Sequence, residues 1–242
     1  MANTSTTGTA QAVMRPRQGG PPLIIPGLVV LVLSVVSAVL GASGPRPATS
    51  AADTLAYDLS HHTLLTWLGA IVFGASIPLA TWTATAYRRL RQLGITAPGT
   101  AIALSGGLLA SGFLGISGLV LWTAGQSATA GEPGLARALT TLAFATGGPG
   151  FVVPLALLLA GVAVPSLILR LMPRAVGWAG LVIAALAVLS TLSLLTSALD
   201  PLLPIGRFGG LLWLVVVSIM LPISRQRRHQ PQSTHEPNLA NA

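Results

Sequence analysis

Six stretches of this chain run without a charged side chain, each about as long as a lipid bilayer is thick. The first is Pro22–Gly41. A hydrocarbon core of about 30 Å takes roughly twenty helical residues, at about 1.5 Å of rise each. Only α-helices and closed barrels satisfy their own backbone polar groups inside lipid. Runs this long and this apolar select the helix. The predicted fold class is therefore all-α: a transmembrane bundle of six helices over about 22–224, with N- and C-termini cytoplasmic.

The spans are placed at about 22–41, 63–87, 99–123, 151–169, 175–199 and 208–223. Residues 1–21 read as a disordered cytoplasmic leader and 225–242 as a cytoplasmic tail. The first span has a rival reading as a cleaved signal peptide, but an h-region is usually about 7–15 residues, shorter than this run. Pro78 predicts a kink in the second span. Residues 42–61 read as a polar loop broken by Gly44, Pro45 and Pro47, and 200–207 as another. The run Ala138–Leu169 is too long for one straight crossing, and Gly147-Gly148-Pro149-Gly150 divides it. A short surface or partly inserted helix at about 134–146 followed by the fourth span is the simpler reading. Unwound backbone lining a cavity is the other.

Composition supports lipid as the solvent. Charged residues make up 7% of the chain and hydrophobic ones 52%, where a soluble domain carries roughly 25% charged. The net charge of +8 invites a nucleic-acid reading, and the positions of the arginines argue against it. With the N-terminus inside, Arg15, Arg17, Arg88, Arg89, Arg91, Arg170, Arg174, Arg225, Arg227 and Arg228 fall on inner segments. Only Arg46, Arg137 and Arg207 fall outside, together with Asp53, Asp58, Glu132 and Asp200. That split follows the positive-inside rule. It predicts a multi-pass protein of the cell membrane whose partner is the bilayer, with a membrane-protein partner or a second copy as further candidates, and no nucleic acid. Trp67 and Trp122 at outer ends, and Trp82, Tyr87 and Trp178 near inner ends, read as interfacial belts. Trp213 lies within a span, where its N–H needs a partner. The exclusive use of Arg over Lys, with much Ala, Gly and Pro, fits a GC-rich genome such as an actinobacterial one.

Chemical motifs are sparse. There is no Cys, which removes disulfides, thiolate metal sites and cysteine nucleophiles. Gly115-Ile116-Ser117-Gly118 resembles the G-x-S-G of rhomboid intramembrane proteases, whose serine needs a histidine on a later helix. The histidines here, His61, His62, His229 and His235, fall in no later span. Small residues Gly107, Ser111 and Gly115, with Gly112 and Gly118 beside them, read better as a helix-packing face. His61 and His62 point about 100° apart on a helix and make no chelating pair. No ionisable residue falls at the middle of a predicted span, which argues against proton coupling and leaves room for a neutral solute. The expectation is a non-enzymatic protein without catalytic residue, metal or cofactor. The alternatives are a small neutral-solute carrier or channel subunit with a cavity near the Gly147–Gly150 break and, more remotely, an intramembrane hydrolase. A cavity or outer polar cluster is to be sought around Asp58, His61, Ser117, Gly148, Pro149 and Arg207, with Asp200 and Arg207 flanking the last outer loop.

Three ordered motifs carry a resemblance. Residues 142–155 read LAFATGGPGFVVPL, 165–180 read PSLILRLMPRAVGWAG and 206–213 read GRFGGLLW. Over roughly residues 60–224 the chain resembles an uncharacterised family of bacterial six-helix integral membrane proteins, known only as a domain of unknown function. The resemblance implies the topology and brings no activity, site residue or cofactor with it.

Overall fold

The computed structural model describes residues 22–95 and 97–221. The predicted leader 1–21 and tail 225–242, with their arginines and His229 and His235, lie outside these residues. Among the described residues there are seven α-helices and no strand. They are α1 (Ile24–Leu40), α2 (Ala51–Gln92), α3 (Pro98–Ser127), α4 (Pro133–Gly147), α5 (Pro149–Ile168), α6 (Arg174–Leu189) and α7 (Leu202–Met220), with short 3-10 turns after α3 and α6. Five stretches are long and apolar enough to cross a membrane: Ala51–Gln92, Pro98–Ser127, Pro133–Ile168, Arg174–Leu194 and Ser197–Met220. Ile24–Leu40 is a shorter apolar helix.

The burial pattern is that of a protein in lipid. On α1 the buried positions are Pro26, Gly27, Val30, Ser34 and Ser37. Ile25, Leu28, Val29, Val32, Val35, Val36 and Val39 point outward. Apart from Val30, the buried positions are small or hydroxylated and most of the branched apolar ones face away, the reverse of a water-soluble helix. Small residues at interfaces let helices approach closely, which is how helices associate without a hydrophobic drive between them.

Helix α3 packs on α2, α4 and α5. A Cβ at Gly118 would strike the backbone of Phe73 on α2, and one at Gly69 would come within 2.5 Å of the Trp122 nitrogen. Toward α5, a Cβ at Gly106 would lie 2.6 Å from the Leu157 Cβ, and one at Gly161 2.5 Å from the Ala103 nitrogen. Ser111 Oγ donates to the Ser76 carbonyl at 2.7 Å. Gly112, assigned above to the same face, meets nothing within 4 Å and takes no part. α1 packs against α2 and α7, and α6 against α5 and α7.

Several boundaries differ from the sequence reading. Helix α2 starts at Ala51, inside the predicted polar loop. Ser50 caps it: its Oγ accepts from the Asp53 N–H at 3.1 Å and donates to Asp53 Oδ2 at 2.6 Å. Non-helical backbone inside α2 falls at His61 (φ −124°, ψ 20°) and not at Pro78. The fifth span's final turns are 3-10 and not α. Helix α7 begins at Leu202, so Arg207 stands on a helix and not in a loop. Pro204 fits there because a first-turn residue needs no N–H partner. Trp82 is fully buried, its Nε1 donating to Ser218 Oγ at 2.8 Å, so it is no belt residue. Trp213 donates to the Val176 carbonyl at 2.8 Å.

The charged positions separate by helix end. Arg88, Arg89 and Arg91 close α2 at the end where Arg89 Nη1 reaches the Leu221 carbonyl at 3.4 Å. Gly99 at the start of α3 faces Pro165, placing the α5–α6 turn with Arg170 and Arg174 at that end too. Asp58 and Arg207 share a cavity toward the opposite end.

Candidate functional site

The two halves of the long fourth apolar stretch meet at Gly148, which has φ −89° and ψ −105°. Its N–H donates to the Phe144 carbonyl at 2.7 Å and so ends α4. Its carbonyl accepts from the Phe151 and Val152 N–H groups at 3.1 and 2.9 Å and so begins α5. In an unbroken helix the Phe151 N–H would serve the Gly147 carbonyl. Deprived of it, that carbonyl accepts instead from Arg207 Nη1, at 3.5 Å.

The break is deep. Ser117 Oγ donates to the Ala143 carbonyl at 3.1 Å, and a Cβ at Gly147 would collide with Ser117. Ser117 stands ten residues before the α3 terminus at Ser127, about 15 Å along the axis. α4 runs over Pro133–Gly147, close to the 134–146 expected for a short surface or partly inserted helix. It packs on α2 and α3, with Ala136, Ala143 and Thr146 buried. Backbone groups released at a break inside a bundle are tolerated where protein or a cavity takes them up, and here Arg207 takes up the Gly147 carbonyl.

A partly enclosed cavity of about 370 Å³ adjoins the break. Ser37 and Ala38 of α1 line it, with Gly41, Gly44 and Pro45 of the following turn. α2 adds Tyr57, Asp58, Leu65, Leu68 and Val72. Ser117, Leu121 and Ala124 come from α3, and Thr140, Ala143, Phe144, Gly147 and Gly148 from the break. Leu203, Pro204, Arg207 and Phe208 of α7 complete it. Of the six residues singled out in the sequence, Asp58, Ser117, Gly148 and Arg207 thus meet around one space. His61 and Pro149 do not line it. Pro149 is the buried first residue of α5. His61 stacks on Tyr57, with ring centroids 4.2 Å apart and planes at 12°, and its Nδ1 lies 2.8 Å from Ser60 Oγ and 3.1 Å from the Tyr57 carbonyl. It supports the wall. Asp200 is not among the lining residues either.

Asp58 is 2% exposed. The Arg207 guanidinium lies 5.2 Å from the Phe151 ring centroid and 5.9 Å from that of Phe208. Its Nε is buried without a hydrogen-bond partner. Neither residue forms an ion pair within 4.0 Å among the described residues. The sequence reading placed both in outer loops. The missed signals were the Ser50-x-x-Asp53 capping box, which starts α2 early enough to carry Asp58 on a helix, and the first-turn tolerance of Pro204.

The hydroxyl of Ser117 is committed to a main-chain carbonyl and not to a base. No cluster of three or more His, Cys, Asp or Glu able to hold a metal ion occurs among the described residues. What the arrangement offers is a mostly apolar chamber at a helix break, with two opposite charges in its wall. No family model, curated protein or solved structure matches the chain.

Proposed function

We propose that this is a non-enzymatic, multi-pass protein of the cell membrane that holds a small solute without net charge, as a carrier or channel subunit. The proposal includes six crossings, with α4 and α5 together as one, both termini in the cytoplasm, and membership of the bacterial six-helix family resembled above. One observation carries it: the cavity of about 370 Å³ that reaches the helix break at Gly148 and Ser117. Its size is that of small-molecule sites, which run from about 300 to about 1,000 Å³ and are lined mostly by apolar groups. Interrupted helices near mid-membrane are where secondary transporters bind their solutes.

Single-cysteine labelling in intact cells tests this, and the chain has no cysteine of its own to interfere. Ser37→Cys in the cavity wall should react with a small membrane-impermeant thiol reagent added outside. Val36→Cys, on the lipid side of the same helix, should not. Gln126→Cys should label from outside and Arg91→Cys only after the membrane is opened. An inert Ser37→Cys would sink the solute-binding reading, and labelling of Gln126→Cys and Arg91→Cys from one side would sink the topology.

A further inference from the structure

We infer that the solute is a small zwitterion with an apolar body, its anionic group on Arg207 and its ammonium on Asp58. This rests on the cavity reading above and gives it a substrate class. The starting observation is that the cavity wall holds one buried cation and one buried anion, and neither is paired among the described residues. A charge removed from water is costly unless it is compensated. A ligand carrying only one charge would compensate one of them and leave the other.

The donors and acceptors are arranged for the task. Arg207 spends one N–H on the Gly147 carbonyl, out of the five a guanidinium has. The rings of Phe151 and Phe208 flank it. The remaining donors suit a carboxylate or phosphate, which guanidinium binds in a bidentate fork. The Asp58 carboxylate, acceptor-only when ionised, suits an ammonium, which has three donors and no acceptor. Leu65, Leu68, Val72 and Phe144 line the same space and provide for an apolar body. An α-amino acid with an apolar side chain has this chemistry. So does the phosphate–ammonium headgroup of phosphatidylethanolamine, and the experiment separates the two sources.

The full chain is reconstituted in nanodiscs of phosphatidylglycerol, a lipid without an ammonium. Binding of radiolabelled alanine, valine, leucine and phenylalanine is measured. Leucinamide, 4-methylpentanoate and 4-methylpentanamide serve as competitors lacking the anion, the cation and both. The proposal expects saturable binding of at least one amino acid, with leucine about 10- to 100-fold stronger than each competitor. Asp58→Asn should erase the preference over 4-methylpentanoate, and Arg207→Gln the preference over leucinamide. If instead no amino acid binds, but native mass spectrometry finds phosphatidylethanolamine retained by the wild type and lost from both variants, the zwitterion stands and its source is the lipid. Equal binding of leucine and all three competitors would overturn the zwitterion and leave the cavity reading intact, as would no binding of any probe or lipid while Ser37→Cys still labels. Silence of every probe with an inert Ser37→Cys would remove both. Restoration of the wild-type melting temperature by the exchange Asp58→Arg with Arg207→Asp, after loss in each single variant, would show that the two charges serve each other and would also overturn the proposal.

Discussion

Ser117 shows how far a single residue can be read from sequence. Its setting between glycines resembles a protease motif, and nothing in the local pattern says where its hydroxyl points. The structure gives the hydroxyl to Ala143 on the facing helix. Ser117→Ala should therefore cost about 1 kcal/mol in thermal unfolding in detergent and change no other property. Ser117→Val should cost more, because the Gly147 backbone lies directly against the side chain. A variant that unfolds like wild type would show that the bond contributes nothing. Asp58 and Arg207 were legible as charges near one end of the bundle. Their burial was not, because it depends on helix starts at Ala51 and Leu202, and a one-turn error there moves a side chain from loop to cavity wall.

At the scale of the element, glycine pairs decide the contacts of α3. The sequence marks α3 as rich in small residues but cannot separate those that face a neighbour from those that face lipid. Gly118→Ala places a methyl into the backbone of α2 and should lower stability by about 1–3 kcal/mol. Gly112→Ala meets nothing and should be neutral or raise helix stability by up to about 1 kcal/mol. Melting temperatures of the two variants in one detergent compare them directly, and equal effects would refute the packing assignment. The break at Gly148 was legible as a break from its Gly-Gly-Pro-Gly sequence. Its depth was not, since depth is set by what α4 lies against. A Cβ at Gly148 would stand 2.7 Å from the Phe144 carbonyl. Gly148→Ala should cost about 1–3 kcal/mol and reduce labelling of Ser37→Cys if the distortion reaches the cavity.

At the scale of the whole molecule, uncharged length predicted an all-helical membrane bundle, and five stretches among the described residues are long and apolar enough to cross a membrane, with Ile24–Leu40 a shorter apolar helix. The burial pattern adds an independent test. Ile77 is 62% exposed in the middle of α2, a position that would be a defect in water and is ordinary in lipid. Ile77→Arg should oppose insertion by about 2.5–3.5 kcal/mol, seen as reduced membrane-fraction yield, while Ile77→Leu should behave as wild type. Unchanged yield of the arginine variant would contradict a lipid-facing α2.

The two neighbouring helices α1 and α2 are unequal in length, Ile24–Leu40 against Ala51–Gln92. With a rise of about 1.5 Å per residue, α1 reaches about 25 Å, short of a hydrocarbon core of about 30 Å. By the same rise α2 reaches about 63 Å, roughly twice that core. A helix too short for its bilayer draws the lipid surface toward its ends. At the C-terminal end of α1 that dip meets Ser37, Ala38 and Gly41, all cavity-lining residues. If α1 crosses as proposed, mismatch at this corner would draw the headgroup layer toward the level of the chamber.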